Sequence, residues 1–553
     1  MKWKTLRHNG VLFPPEYTPQ GIKFRIKGRV VKLTNLQEEM VYQWAKKKDT
    51  PYVQDLAFRR NFVADFAATF KPKVRFSYKD LDFADAYALV DREKEAKLLM
   101  TKEERKELAA RRKAVREELK EKYGSATVDG KRVELGNYMI EPPGIFIGRG
   151  KHPLRGRWKP RIGIGDVILN MDEKARTPPG KWAGVEHEND SVWVAKWTDR
   201  LTGKVKYVWL ADTADLKQEM DKAKYEKAAI LAESICDVED ALHRDMAEDR
   251  SFKIATACYM IYRTAMRVGD EKDPEEADTV GATTLRKEHA SVAEDRIELD
   301  FLGKDSVRWQ ETILIGEREM QFRNNLVRLM RDKGDADEIF DGIKSQTVNK
   351  YLSGIVKGVT AKVFRTYLAT KVVTEYLAKN DDLKDASPSK KLHHAKMANL
   401  QAAIRCNHKR TIPKTFRQAI QKKRDNLKKV KSQVPWAKAA ETLEKAKSSK
   451  PRTEKQKKTR LARIRRTRKS IKQKKERHAE LVERLSLQIK LSEKTRDYNL
   501  GTSLRNYIDP RVFKAWTDEM GAPWEKLYTA ALQKKFLWVK NEKPSWSEIK
   551  GSA

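Results

Sequence analysis

Between residues 421 and 490 the chain carries 26 Lys and Arg against 7 Asp and Glu, so an eighth of its 553 residues holds about half of the net charge of +38. No ordinary core can be built from such a stretch. Its apolar residues are sparse: Leu427, Val430, Val434 and Leu443, then Leu461, Ile464, Ile471, Leu481, Leu485 and Ile489, with Ser448-Ser449-Lys450-Pro451 breaking the run. That pattern suits two antiparallel helices leaning on each other along a thin seam and projecting from a body. A disordered basic segment is the alternative that composition leaves open.

The rest of the chain can pack. Its length predicts three or four domains, and 39% hydrophobic residues with 13 Trp and 17 Phe supply more than one core. Residues 3–76 read as short strands, such as Ile22 to Ile26 before Lys27-Gly28, then helices from about Gln37. Residues 82–123 are charged helix formers without Gly or Pro, which predicts a long solvated helix or helix pair that includes Lys102 to Lys122. Gly- and Pro-rich text with strand-like runs at 166–169 and 192–197 predicts a second β-containing region. From Asp215 to Cys406 the pattern is helical, as at 225–245 and 254–267, with one strand-like interruption at 296–302. Residues 501–553 turn apolar and aromatic again, with Trp516, Trp524, Phe536 and Trp538.

A charge of +38 points to a polyanionic partner such as DNA or RNA. Three widely spaced cysteines, Cys236, Cys258 and Cys406, argue against a disulfide framework and for a reducing compartment. No run of about 18 apolar residues predicts a membrane span, and the N-terminus has no apolar signal segment. Gly148-Arg149-Gly150-Lys151 lacks the rest of a P-loop, so no nucleotide is expected. Nine histidines with one adjacent pair, His393-His394, and no H-E-x-x-H predict no bound metal and no cofactor.

An enzyme that cuts a nucleic acid without metal or nucleotide must use a side chain as nucleophile and cations around the phosphate. Arginine suits the second task, because its fork binds two oxygens and keeps its proton, whereas lysine can act as an acid. Candidates sit in polar motifs within apolar helical text: Arg267 in Met266-Arg267-Val268-Gly269-Asp270-Glu271-Lys272, Lys304 in Gly303-Lys304-Asp305-Ser306, Arg365 in Phe364-Arg365-Thr366-Tyr367, His408 in Cys406-Asn407-His408-Lys409-Arg410, and Tyr507 in Asn506-Tyr507-Ile508-Asp509-Pro510. Taken singly, each reads equally as a surface arginine, a structural histidine or a core tyrosine. Their order carries the signal.

In that order, with Phe13-Pro14-Pro15, Glu141-Pro142-Pro143-Gly144-Ile145-Phe146 and Ala277-Asp278-Thr279-Val280-Gly281, the chain resembles eukaryotic-type DNA topoisomerases of class IB over nearly its whole length. The resemblance implies that Tyr507 forms a 3′-phosphotyrosine link, that Arg267, Arg365 and His408 contact the non-bridging oxygens, and that Lys304 protonates the departing 5′ oxygen. It implies relaxation of positive and negative supercoils in double-stranded DNA by a monomer that needs neither nucleotide nor metal. DNA contacts are implied at Arg149, His152, Glu188, Asn189, Lys206, Asp270, Glu271, Lys272, Thr279, Asp305, Asn349, Thr360, Ala361, Lys362 and Asn506. Arg149, Asp305 and Asn506 also match residues around which camptothecin-type poisons bind in this family.

The fold class implied is α+β, a multidomain bilobed DNA clamp. Its parts are a β-containing cap lobe at 1–214 with projecting helices at about 82–123, a mainly helical catalytic core at 215–413, a basic antiparallel coiled-coil linker at 414–494 and a small α C-terminal domain at 495–553. Asp270 and Leu368 stand where the family usually has Asn, and Leu504-Arg505 inverts its basic-then-Leu order. The resemblance implies a nuclear protein, although the family's long charged extension does not precede Met1, and a viral source also fits so compact a chain. Two other readings stand beside this one: a tyrosine recombinase with related chemistry, and a non-enzymatic basic chromatin or RNA-binding protein.

Overall fold

The computed structural model describes residues 2–72, 74–148, 150, 152–269, 280–303, 307–380 and 382–551. Arg149, Asp270, Glu271, Lys272, Thr279, Lys304 and Asp305 lie outside them. The chain divides into two compact units, residues 1–221 with 272–279, and residues 222–271 with 280–553.

The first unit holds two cores. One is aromatic: Trp44, Phe58, Phe62 and Phe66 come from the helices Asn35–Ala45 and Leu56–Ala68 and meet Phe24 and Phe83. Trp44 and Phe62 approach to 4.3 Å between ring centroids, a contact that adds about 1 kcal/mol to their burial. Thr34 and Gln37 close a capping box at the first helix, and Asp55 caps the second by accepting from Phe58 N. The other core lies on a four-stranded sheet in the order 184–186, 167–170, 193–198, 205–209, whose first pair is parallel and whose others are antiparallel. Val167, Leu169, Val194, Ala195 and Val208 are buried on it. The predicted solvated helix runs from Lys102 to Tyr123 with no buried residue, started by a Thr101–Glu104 capping box.

In the second unit the helix Ala361–Ala378 is buried over most of its circumference, as its run of Val, Phe, Tyr, Leu and Ala requires. Its first half, with Phe364 and Leu368, belongs to a core that includes Met260, Phe322 and Phe340. Its second half, with Val373 and Leu377, belongs to a core that includes Phe513, Trp516 and Phe536 of the C-terminal segment. Arg365 is therefore placed inside packed protein.

Three expectations are corrected. The helix foreseen at 225–245 is two, Asp215–Glu233 and Ile235–Ala247, separated at Ser234. The helix foreseen at 254–267 stops at Thr264, because Ala265 takes a left-handed conformation with φ of 54°. The single strand at 296–302 is the middle of a three-stranded antiparallel sheet, Ala290–Val292, Arg296–Gly303 and Val307–Leu314. Alternation buries Ile297, Leu299 and Phe301 on one face of that strand.

The basic segment is helical. Phe416–Ser432 and Ala437–Ser448 run antiparallel to one 41-residue helix, Glu454–Lys494, about 60 Å long. Arg424 pairs with Glu493 at 2.7 Å, His478 reaches the Val430 carbonyl at 2.8 Å, and Arg460 Nε donates to the Ala446 carbonyl at 2.9 Å. Ile420, Val430, Ala446 and Ile489 are buried along the seam, whereas Val434 and Leu461 stay exposed. The break at Val434-Pro435 splits one arm, since proline cannot donate within a helix. Among the described residues no helix is long and apolar enough to cross a membrane, and no group of three His, Cys, Asp or Glu side chains could hold a metal ion.

Candidate active site

Four of the five candidate catalytic residues are among the described residues; all four belong to the second unit and come from separate elements. Arg267 lies two residues past the left-handed Ala265, in a segment fastened backbone to backbone: Ala282 N donates to the Arg267 carbonyl at 2.8 Å and Thr283 N to the Val268 carbonyl at 2.7 Å. This pairing brings Gly281 against Gly269 so closely that a Cβ on Gly281 would sit 2.5 Å from the Gly269 backbone. Only glycine fits there.

His408 follows the helix Pro388–Arg405. Asn407 N donates to the Ile404 carbonyl at 2.9 Å and His408 N to the Ala403 carbonyl at 2.8 Å, the paired bonds of a Schellman cap, with Asn407 in the left-handed position at φ 50°. Asparagine is the side-chain-bearing residue that takes this conformation at least cost. Asn499 N donates to the His408 carbonyl at 2.7 Å, fixing the other side. Tyr507 ends the short helix Leu500–Asn506, and Asp509-Pro510 starts the next one as an N-cap with proline in its first position. Between them, Thr370 Oγ1 donates to the Tyr507 carbonyl at 3.3 Å and accepts from Asp509 N at 3.1 Å.

These elements bring three side chains together. The His408 and Tyr507 rings stack with centroids 5.3 Å apart at 25°, and the Arg365 guanidinium carbon lies 4.8 Å from the Tyr507 ring centroid. Arg365 Nη2 donates to the Cys406 carbonyl at 3.0 Å and lies 3.4 Å from His408 Nε2. Because arginine can only donate, Nε2 is the acceptor there and the imidazole proton sits on Nδ1. Arg365 is 3% exposed, yet its Nε and Nη1, and Nδ1 of His408, have no hydrogen-bond partner among the described residues. Buried donors without partners cost about 1–3 kcal/mol each, so they mark a place for an absent acceptor.

Burial, then the charges of Arg365 and Arg267, hold His408 down to about 3, so it is a neutral imidazole at pH 7. Arg365, His408 and Arg267 line one cleft with Met266, Gly303, Val307, Asn407, Lys409, Asn499 and Thr502. Gly303 and Val307 are the paired strand ends on either side of Lys304 and Asp305 in sequence. An anion entering the cleft meets arginines and a neutral imidazole, against which the buried Tyr507 ring is stacked.

The other predicted site residues have mixed surroundings. Asn349 Oδ1 accepts from Ala361 N at 3.1 Å and so caps the Arg365 helix, Thr360 offers no side-chain cap, and Lys362 points to solvent beside buried Ala361. Asn506 Nδ2 donates to the Thr502 carbonyl at 3.1 Å. In the first unit, His152 Nδ1 accepts from Leu154 N at 3.1 Å, and its ring meets Phe146 edge-on. Glu188 accepts from Trp193 Nε1 at 2.8 Å, which holds its carboxyl below the usual range, and the exposed Asn189 receives Trp3 N on its carbonyl. Lys206 lies half-buried in the strand Val205–Trp209.

Sequence reasoning missed Thr370, Asn399 and Ser503. Asn399 Nδ2 donates to the Leu500 carbonyl and its Oδ1 accepts from Ser503 Oγ at 2.9 Å, tying the Tyr507 helix to the helix before His408. Small hydroxyls and an amide inside helices carry no local pattern; only the cap signals Asn407 and Asp509-Pro510 were there to be read.

Residues 1–210 match the family model described as eukaryotic DNA topoisomerase I, DNA binding fragment; residues 213–441 match its catalytic core; and residues 479–548 match a C-terminal topoisomerase domain. DNA topoisomerase 1 alpha of Arabidopsis thaliana is 36% identical over 555 aligned residues, covering 99% of this chain and 59% of the relative. DNA topoisomerase 1 of Caenorhabditis elegans is 36% identical, covering 98% and 67%, and that of Homo sapiens 33% identical, covering 98% and 71%. The chain thus spans a little under three fifths of the length of its Arabidopsis relatives, and about two thirds or more of the Caenorhabditis and human ones. With identity of this level across all its segments, and with the clustered Arg365, His408 and Tyr507, the chain belongs to the eukaryotic DNA topoisomerase I family.

Proposed function

We propose that this protein is a type IB DNA topoisomerase that relaxes positive and negative supercoils through a transient single-strand break, without nucleotide or metal. The observation that carries the reading is the cluster of Arg365, His408 and Tyr507, with buried donors that lack acceptors among the described residues, beside a cleft that Arg365 and His408 line together with Arg267. A phosphodiester supplies the missing acceptors.

In the proposed reaction Tyr507 Oη attacks the phosphorus, its proton passing to solvent. The Oη–P bond forms as the P–O5′ bond breaks, and Lys304 Nζ delivers a proton to O5′. Arg267 and Arg365 donate to the non-bridging oxygens. An oxygen that accepts from Arg365 Nη2 draws that donor off His408 Nε2 and favours the Nε2–H tautomer, so a neutral His408 becomes a third donor without adding charge. One phosphodiester replaces another of similar energy, so the 5′ hydroxyl reverses the step without ATP. Rotation of the downstream duplex between the two steps releases supercoils.

The proposal extends to a bilobed clamp with the domain boundaries expected above, to a linker hairpin at 414–494 that faces the rotating duplex, and to a monomer acting in the nucleus. Arg149, His152, Glu188, Asn189, Lys206, Asp270, Glu271, Lys272, Thr279, Asp305, Asn349, Thr360, Ala361, Lys362 and Asn506 are proposed DNA contacts. Contacts of that kind fall mostly on phosphates, which gives salt-sensitive binding with little sequence preference.

The test is relaxation of plasmids of both signs in EDTA without ATP. The wild type is expected to relax both and to leave a 3′-linked adduct, and Tyr507→Phe to bind DNA but do neither. A wild type that binds DNA without relaxing it would return the choice to recombination or packaging.

A further inference from the structure

Arg405 stands three residues before His408, at the end of the helix Pro388–Arg405. Its guanidinium reaches two other elements. Nη2 donates to the Arg263 carbonyl at 2.6 Å and approaches the Tyr262 carbonyl at 3.5 Å. Both oxygens belong to the last turn of the helix Phe252–Thr264, where carbonyls have no partner within the helix and a cation is favoured. Nη1 lies 3.6 Å from Glu311 Oε1 on the strand Val307–Leu314. The two side chains are 25% and 32% exposed.

Burial raises the Glu311 carboxyl and lowers Arg405, and the charge of each opposes the other's shift. The charges of Lys409 and Arg263 act on Glu311 in the same sense, but Arg263 Nη2 is paired with Glu319 at 3.2 Å. A second link runs beside the first: Asn407 Nδ2 donates to the Arg308 carbonyl at 3.2 Å.

Each of the three elements leads to a different candidate. Three residues beyond Thr264 is Arg267, three residues before Val307 is Lys304, and three residues beyond Arg405 is His408. We propose that Arg405 is a positioning residue that clamps the helix end at Tyr262–Arg263 and the Glu311 strand to the His408 helix, holding Arg267 and His408 in one catalytic register. The role rests on the function proposed above. Among the described residues Arg405 touches none of the candidate reacting groups, so its removal changes the rate at a filled site more than it changes affinity for DNA. A misplacement on the order of 1 Å costs up to about a hundredfold in rate.

The experiment compares wild type, Arg405→Leu, Arg405→Lys, Glu311→Gln and the double variant Arg405→Leu/Glu311→Gln on a nicked duplex that traps the covalent adduct. It measures duplex affinity, the single-turnover cleavage rate at saturating duplex, and the melting temperature. Arg405→Leu is expected to cleave about ten- to a hundredfold slower at saturation with affinity within about twofold of wild type. Arg405→Lys, which keeps a donor and a charge, should recover most of that loss. The double variant should be no slower than Arg405→Leu alone, because both changes break one link.

A wild-type rate for Arg405→Leu at saturation would overturn the proposal, as would a loss confined to affinity or an Arg405→Lys as slow as Arg405→Leu. Should Arg405→Leu fail to fold, Glu311→Gln decides: severalfold slower at saturation supports the clamp, unchanged overturns it. Absence of any Tyr507-dependent adduct in the wild type would instead refute the functional reading and the clamp with it.

Discussion

Replacing Arg365 by methionine should cripple cleavage while leaving the stability of the free protein nearly unchanged. In the free protein Arg365 Nη2 donates to the Cys406 carbonyl at 3.0 Å and, at a longer 3.4 Å, to His408 Nε2, and the guanidinium faces the Tyr507 ring at 4.8 Å. A charge-assisted bond contributes about 1.5–3 kcal/mol and the cation–π contact about 1 kcal/mol. Against them stand two buried nitrogens, Nε and Nη1, without partners among the described residues, at about 1–3 kcal/mol each. Methionine fills the volume with no donor to satisfy. At the middle of these ranges the two sides nearly cancel, leaving a change within about 2 kcal/mol of zero. In the transition state the same donors face developing charge, and losing one such group costs on the order of 10²–10³ in rate, about 3–4 kcal/mol. Thermal melting without DNA and single-turnover cleavage of a nicked duplex measure the two halves. A melting temperature several degrees below wild type would refute the reasoning, because it would mean that Arg365 is satisfied in the free protein; an unchanged cleavage rate would refute the catalytic role.

Three further outcomes are expected. His408 is held at about 3 in the folded protein against an ordinary 6.5, so the unfolded chain takes up the proton first. Its share of stability is complete above about pH 6.5 and is lost as pH falls toward 3, at up to about 1.4 kcal/mol per pH unit. Urea unfolding at pH 7, 6 and 5 should show a shallower loss in His408→Asn than in wild type, and equal slopes would refute the assignment. Thr370→Val removes the hydroxyl that bridges Tyr507 O and Asp509 N, which should cost about 1–2 kcal/mol and slow cleavage severalfold. Thr370→Ser should restore both, and a serine variant as impaired as valine would count against the bridge. Deleting about residues 421–490 removes 26 Lys and Arg with 7 Asp and Glu, so both the relaxation rate and its salt dependence should change. An identical salt profile would sink the role given to the hairpin.

What could be read from sequence was whatever repeats or sits beside a turn. The helix Lys102–Tyr123 follows from uninterrupted charged helix formers after Thr101, and the basic hairpin from sparse apolar positions around Ser448 to Pro451. Residues 290–292 and 307–314 were not recognised as strands, although Val307 to Leu314 partly alternates, because helical text on both sides dominated the reading. The helix through Arg267 was overrun by three residues because Ala265 is a strong helix former, and only tertiary pairing with residues 281–283 forces it left-handed. Arg267, Arg365, His408 and Tyr507 were recognisable through family likeness. Thr370, Asn399 and Arg405 were not, since each acts across 100 or more residues of sequence.

The charge of this protein is divided between two environments that do different work. Along the basic hairpin most Lys and Arg are exposed and hydrated, so each contributes a small, salt-screened attraction whose strength lies in number. In the cleft, among the described residues, the cations are few and no acidic side chain hydrogen-bonds to the buried Arg365. A carboxylate placed there would satisfy the free protein and would compete with the phosphate for the same donors. Leaving those donors unpaired costs stability that packing elsewhere must cover, notably the buried Phe364, Phe513 and Trp516 around the Arg365 helix. The same low-dielectric surroundings that make the orphaned donors costly make them strong when an anion arrives. Keeping His408 neutral limits that cost, because a third buried cation beside Arg365 and Arg267 would add repulsion without adding a donor that the neutral ring lacks at Nε2 after tautomer exchange. On the proposed function, the lack of a facing carboxylate among the described residues and the depressed histidine follow from one requirement: the site must be unsatisfied until phosphate fills it.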